Sequence, residues 1–295
     1  MAAISGVLTA MVTPFAPDGA VDVQAAQALA RLLVDERGSH GLVVAGTTGE
    51  SPTLSDTEKL ELLKAVTEEV GDRALVVCGT GSNDTAHAVE LTRGACRLGA
   101  DAVLVVTPYY NKPNRAGLRA HFAAVAQAAG ETPVILYNIP SRCVVNLSVE
   151  FMAELAADNE NIVAVKQAND AELGPVEGLD LLAGNDDTFL RALEAGGTGG
   201  IVVASHLIGA EMRALYDAYG SGDTERAREL DAQLHPFYEA MTVTANPIPV
   251  KAGLELQGLI GSAMRLPMVP ASEQERAVVR AALEARGLLV TGNAA

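Results

Sequence analysis

One of the chain's five lysines stands where an amine could act as a nucleophile. Lys166 ends the apolar run Ile162-Val163-Ala164-Val165. An ammonium carried into such surroundings is destabilised unless it is paired or deprotonated. Burial lowers an amine pKa, and an amine near 7–8 attacks carbonyls readily. A fall from ~10.4 to ~7.5 corresponds to about 4 kcal/mol of lost charge stabilisation. The other lysines invite plainer readings. Lys59 and Lys64 lie among glutamates on a helical stretch, which predicts a solvated face. Lys112 belongs to a polar loop. Lys251 opens a helix after Pro249, and a structural role is expected.

Other reactive or polar residues follow apolar runs in the same way. Gly46-Thr47-Thr48-Gly49-Glu50-Ser51 offers backbone N–H groups and two hydroxyls, a set that suits a carboxylate. Neither G-x-G-x-x-G nor G-x-x-x-x-G-K-[ST] occurs, so nucleotide phosphates are not indicated. Tyr109 and Tyr110 follow one run, and Tyr137 ends another, with Arg142 five residues on. Three of the six tyrosines, one arginine and two threonines are therefore expected at one mouth with Lys166. The five histidines are scattered, and Cys78, Cys96 and Cys143 have no C-x-x-C spacing. No metal is expected, no cofactor is called for, and the thiols suit a reducing cytoplasm.

Short apolar runs separated by helical patterns must position these residues. The runs are Val7–Val12, Gly41–Ala45, Ala74–Cys78, Ala102–Val106, Val134–Tyr137, Ile162–Val165, Leu179–Ala183 and Gly200–Val203. Helical spacing fills most of the gaps, as in Asp22–Glu36, Ser55–Val70, Asn83–Leu98 and Arg115–Ala129. Between the sixth and seventh runs, Gly174-Pro175 and Gly178 leave room only for a very short helix. Eight such units in ~200 residues predict an α/β fold, a (β/α)8 TIM barrel, with its site at the strand C-terminal ends. The expected division is a catalytic barrel over residues 1–220, ending in a helix at Ala210–Tyr219, and a C-terminal helical extension over 221–295, with helices at Thr224–Ala240, Val250–Leu259 and Ser272–Arg286.

Charge and hydropathy exclude other classes. The balance of 21 basic and 37 acidic residues gives −16, which argues against nucleic acid and anionic membrane surfaces as partners. No run approaches 18 apolar residues, and the N-terminal residues do not read as a signal peptide, so a cytoplasmic protein is expected.

Five segments together resemble the dihydrodipicolinate synthase family, within the N-acetylneuraminate lyase superfamily of Schiff-base aldolases. They are Gly46–Ser51, Val106–Pro113, Leu136–Arg142, Val165-Lys166 and Asn246–Lys251, in family order across nearly the whole chain. The resemblance implies condensation of pyruvate with L-aspartate 4-semialdehyde, in lysine and diaminopimelate biosynthesis. It implies a Schiff base between Lys166 and pyruvate. Tyr137 is then a proton relay with Thr48 and with Tyr110 of a neighbouring subunit, in a homotetramer. Thr47 and Thr48 hold the pyruvate carboxylate, Arg142 holds the semialdehyde carboxylate, and backbone at Gly184 and Ile201 lines the pocket.

The chain departs from the family pattern at Gln167, where an acid is frequent, at Asn185, where aspartate is usual, and at Cys143-Val144. The alternative reading is another pyruvate-dependent aldolase or lyase, acting on a sugar acid or 4-hydroxy-2-oxoglutarate. A non-catalytic pyruvate binder would need neither Lys166 nor Tyr137. The resemblance also implies an L-lysine cleft at Ser51, Pro52, Asp56, Lys59, Asn83, His87 and Tyr109. Lysine-sensitive relatives carry glutamate at the place of His87 and histidine at that of Lys59, so weak or absent inhibition is expected.

Overall fold

A computed structural model describes residues 4–289. Eight strands close a parallel barrel in sequence order: β1 (Gly6–Ala10), β2 (Gly41–Val44), β3 (Leu75–Gly79), β4 (Ala102–Val106), β5 (Val134–Asn138), β6 (Ile162–Gln167), β7 (Asp180–Ala183) and β8 (Gly199–Val202). Helices α1 (Val23–Asp35), α2 (Asp56–Val70), α3 (Thr85–Arg97) and α4 (Arg115–Ala129) cover the first half. α5 (Pro140–Cys143), α6 (Val149–Asp158), α7 (Phe189–Glu194) and α8 (Ser205–Gly220) cover the second. α9 (Thr224–Ala240), α10 (Ile248–Leu256) and α11 (Glu273–Ala285) follow the barrel. Between β6 and β7 there is only a single 3-10 turn, Asp170–Glu172, as the glycines and proline there predict.

Each strand alternates between two apolar layers. Leu8, Val43, Val77, Leu104, Ile135, Ala164, Leu182 and Ile201 fill the barrel interior. Val7, Leu42, Val44, Val76, Val103, Leu136 and Val165 face the helices. Continuous apolar strands follow from burial on both faces. The same alternation decides where the chemistry points: on β6, Ala164 faces the interior, so Lys166, two residues on, does too.

The helix starts are written in polar side chains. Asp22, Ser55, Asp84, Asn114, Ser148, Asp223 and Ser272 each accept a hydrogen bond from a backbone N–H of the first turn. Ser55 with Glu58, and Ser272 with Glu275, complete reciprocal capping boxes. α8 begins five residues before its expected start at Ala210. Gly209 hides that turn from a propensity reading, yet it is needed, because a Cβ there would lie 2.5 Å from the Arg37 carbonyl oxygen. Among the described residues no helix is long and apolar enough to cross a membrane.

Candidate active site

The mouth at the strand C-terminal ends holds a cavity of about 490 Å³. Lys166, Tyr137, Thr47, Thr48, Arg142 and Gly184 all line it. Lys166 and Tyr137 are partners in the register of β5 and β6, and both point inward. The Lys166 Nζ lies 4.4 Å from the centre of the Tyr137 ring. Only 5% of Lys166 is exposed. Burial pulls its ammonium down to about 8, Asp186 opposes that shift, and Arg142 adds to it. The amine is therefore available for attack on a carbonyl near neutral pH.

Burial also pushes the Tyr137 phenol up to about 12, while Arg142 and a hydrogen bond with the Thr47 side chain pull against it. Tyr137 is thus a neutral phenol that can donate and accept a proton. Its threonine neighbour is Thr47; Thr48 instead accepts a hydrogen bond from Asn246 Nδ2 at 2.9 Å. Thr47 thus stands beside the Tyr137 phenol and Thr48 is engaged by Asn246, whereas the resemblance implies Thr48 for the relay.

Arg142 lies on the short α5 and extends into the mouth, where Nη2 donates to the Asn246 carbonyl oxygen at 3.4 Å. Gly184 follows β7 at the cavity wall, and its N–H donates to the Gln167 carbonyl at 2.8 Å. A Cβ at Gly184 would lie 2.7 Å from that oxygen, so the wall needs glycine. Ile201 is buried in the barrel interior, and Val203, two residues on, stands at the cavity instead. Tyr110 is 88% exposed with φ +73°, and lines neither this cavity nor its neighbour. The expectation that Tyr110 joins the mouth of its own chain does not hold; its side chain faces outward.

Sequence reasoning missed several contributors. Asp186 is half-buried at the cavity and accepts from the N–H groups of Val203 (2.7 Å) and Ala204 (3.1 Å). Burial raises its carboxyl, and those two N–H groups oppose the shift. α9 supplies His235, Tyr238 and Glu239 to the outer wall, which no motif signals. Gln167 points away from the cavity and receives Asn138 Nδ2 at 3.0 Å, so this departure from the family pattern lies behind Lys166. His206 is neutral scaffolding: Nε2 accepts from the Val12 N–H, Nδ1 donates to the Val203 carbonyl, and burial holds it down at about 4.

A second cavity of about 520 Å³ adjoins the first and shares Thr47, Tyr137, Ile139 and Arg142 with it. Asp56, Lys59, His87 and Tyr109 stand on its far side. The Asp56 carboxylate receives both Lys59 Nζ (3.3 Å) and His87 Nε2 (2.8 Å). Lys59 is only 6% exposed, which corrects the expected solvated face. Its place was legible: Lys59, Leu62, Leu63 and Val66 fall at i, i+3, i+4 and i+7, the buried stripe of α2. Lys64 is exposed as expected. Lys251 is structural, as expected, in a buried pair with Glu50.

The model of the family described as Dihydrodipicolinate synthetase family matches residues 3–286. The chain belongs to that family. It is 47% identical over 288 residues to the 4-hydroxy-tetrahydrodipicolinate synthase of Symbiobacterium thermophilum, covering 96% of this chain and 98% of the relative. It is 49% identical over 280 residues to that of Parasynechococcus marenigrum, with 92% of each covered. A crystal structure of the synthase from Cyanidioschyzon merolae with lysine bound superimposes with a TM-score of 0.92 at 40% identity, over 97% of this chain and 99% of the other. These dihydrodipicolinate synthetase relatives do not favour the sugar-acid lyase alternative.

Proposed function

We propose that the protein is a lyase condensing pyruvate with L-aspartate 4-semialdehyde to 4-hydroxy-tetrahydrodipicolinate. The observation that carries this reading is Lys166, buried beside Tyr137 with its ammonium pulled down to about 8. The Lys166 amine adds to the pyruvate C2 carbonyl, and loss of water gives an iminium. The iminium withdraws electrons, so a C3 proton leaves and an enamine forms. Its C3 attacks the aldehyde carbon, and the aldehyde oxygen takes a proton. The semialdehyde amine then adds to C2 and displaces Lys166, closing the ring.

Tyr137 moves these protons, with Thr47 as its neighbour within the chain and Tyr110 supplied by a second subunit of a homotetramer. Thr47 and Thr48, with the loop N–H groups, hold the pyruvate carboxylate. Arg142 holds the semialdehyde carboxylate as a bidentate cation. Gly184 lines the pocket in this reading, with Val203 at the wall where Ile201 is expected. The product feeds lysine and diaminopimelate biosynthesis in the cytoplasm.

Pyruvate with borohydride should add one reduced adduct per chain, mapping to Lys166. A coupled assay with a downstream reductase should show turnover with the semialdehyde. An adduct at Lys251, or no turnover with the semialdehyde, overturns the reading.

A further inference from the structure

One turn of chain beyond the barrel holds the Gly46–Ser51 loop at two points. Lys251 Nζ donates to Glu50 Oε1 at 2.6 Å and to the Ala263 carbonyl at 2.8 Å. The second Glu50 oxygen accepts the Arg265 N–H at 3.2 Å. This pair is almost wholly removed from water, with side-chain exposures of 1% and 2%. Desolvation offsets much of the attraction in such a pair, so its effect lies in register more than in net stability. Ala45 just before the loop and Glu50 within it sit at φ +53° and +57°, a region that non-glycine residues seldom occupy. The loop is thus held in its shape from outside.

Asn246, five residues before Lys251, makes the second contact. Its Nδ2 donates to Thr48 Oγ1 at 2.9 Å, and its carbonyl accepts from Arg142. Thr48 is buried, and both residues line the Lys166 cavity. A hydroxyl carries one hydrogen and two lone pairs. With a lone pair engaged by Asn246, the Thr48 hydrogen is left to point to another acceptor. A carboxylate in the cavity can only accept.

We propose that Asn246 is a positioning residue that turns the Thr48 hydroxyl into a donor for the substrate carboxylate and so sets pyruvate affinity. This rests on the pyruvate reading above. Asn246 acts through Thr48, whereas a merely structural Asn246 would change stability or turnover.

The test is the pyruvate concentration giving half-maximal borohydride trapping, read beside kcat and KM. Asn246→Ala should raise half-saturation about tenfold, the size of one hydrogen bond to a charged group, with kcat within about twofold. In a Thr48→Val background the same change should add less than about twofold, because the partner is gone. Asn246→Asp keeps the shape but can only accept, which reverses the hydroxyl; it should raise half-saturation more than alanine does. Additive effects in the Thr48→Val background overturn the inference. So does wild-type half-saturation in Asn246→Asp, a variant that tests the idea even if the alanine variant fails to fold. If wild-type protein itself is not trapped, the pyruvate reading fails instead.

Discussion

Lys166 carries a measurable cost as well as a reactivity. Its folded pKa lies near 8, against about 10.4 in an unfolded chain. Between those values the unfolded state binds more protons, so stability rises with pH through that window and is lowest below pH 8. The deficit is about 3 kcal/mol at 1.36 per unit. Lys166→Met should therefore raise Tm at pH 7 while abolishing borohydride trapping and turnover. The kcat/KM for pyruvate should rise about tenfold per pH unit below pH 8 and level off above it, because the free amine attacks. A flat profile, or a variant with lowered Tm, would contradict the burial argument.

Arg142 belongs to the same scale but to another step. A guanidinium grips a carboxylate with two parallel N–H groups, which an ammonium cannot copy. Arg142→Ala should cut kcat/KM for the semialdehyde by about 10²-fold or more, as loss of a charged hydrogen-bonded contact implies. Trapping of pyruvate should persist. Equal loss of both would make Arg142 structural. At the neighbouring cavity, the buried Lys59 and the His87 beside it face a single Asp56 carboxylate. A cationic amine brought there meets a fixed cation and no spare anion, which costs a few kcal/mol and roughly 10²-fold in affinity. Inhibition by L-lysine, titrated at subsaturating pyruvate, should need well above millimolar concentrations.

At the scale of elements, the strands and long helices were legible because two periods dominate them. A sheet covered on both faces needs unbroken apolar runs, and α9 appears at its expected bounds of Thr224–Ala240. The first turn of α8 was hidden by Gly209, whose role depends on Arg37, a neighbour far away in sequence. The barrel-mouth residues were legible for the same reason, since the strand period alone aims Lys166 and Tyr137 inward. The α9 wall and Asp186 were not, because nothing local distinguishes them from solvated polar residues. The Glu50–Lys251 pair shows the same limit, since 201 residues separate its partners. Lys251→Ala leaves a buried carboxylate unpaired and should cost about 3–5 kcal/mol, whereas Glu50→Met with Lys251→Met should recover most of it. Thermal unfolding of the three proteins checks this; equal losses in the single and double variants would count against a desolvated pair.

At the scale of the whole molecule, one residue has no place within its own chain. Tyr110 is 88% exposed and held at φ +73°. An aromatic ring fixed outward by an uncommon backbone conformation suits contact with another copy. In the proposed oligomer, a two-fold pair would let each subunit complete the other's site. Subunits with Tyr110→Phe keep Lys166 but lend a defective ring, and subunits with Lys166→Ala lend an intact ring but cannot form the imine. Mixed one to one with free exchange, half the dimers are hybrids, and each hybrid has one intact site of two. Activity should return to about a quarter of wild type if the tyrosine acts in trans. If it acts within its own chain, no hybrid holds an intact site, and activity stays at the sum of the two parents even though exchange is confirmed by native mass spectrometry.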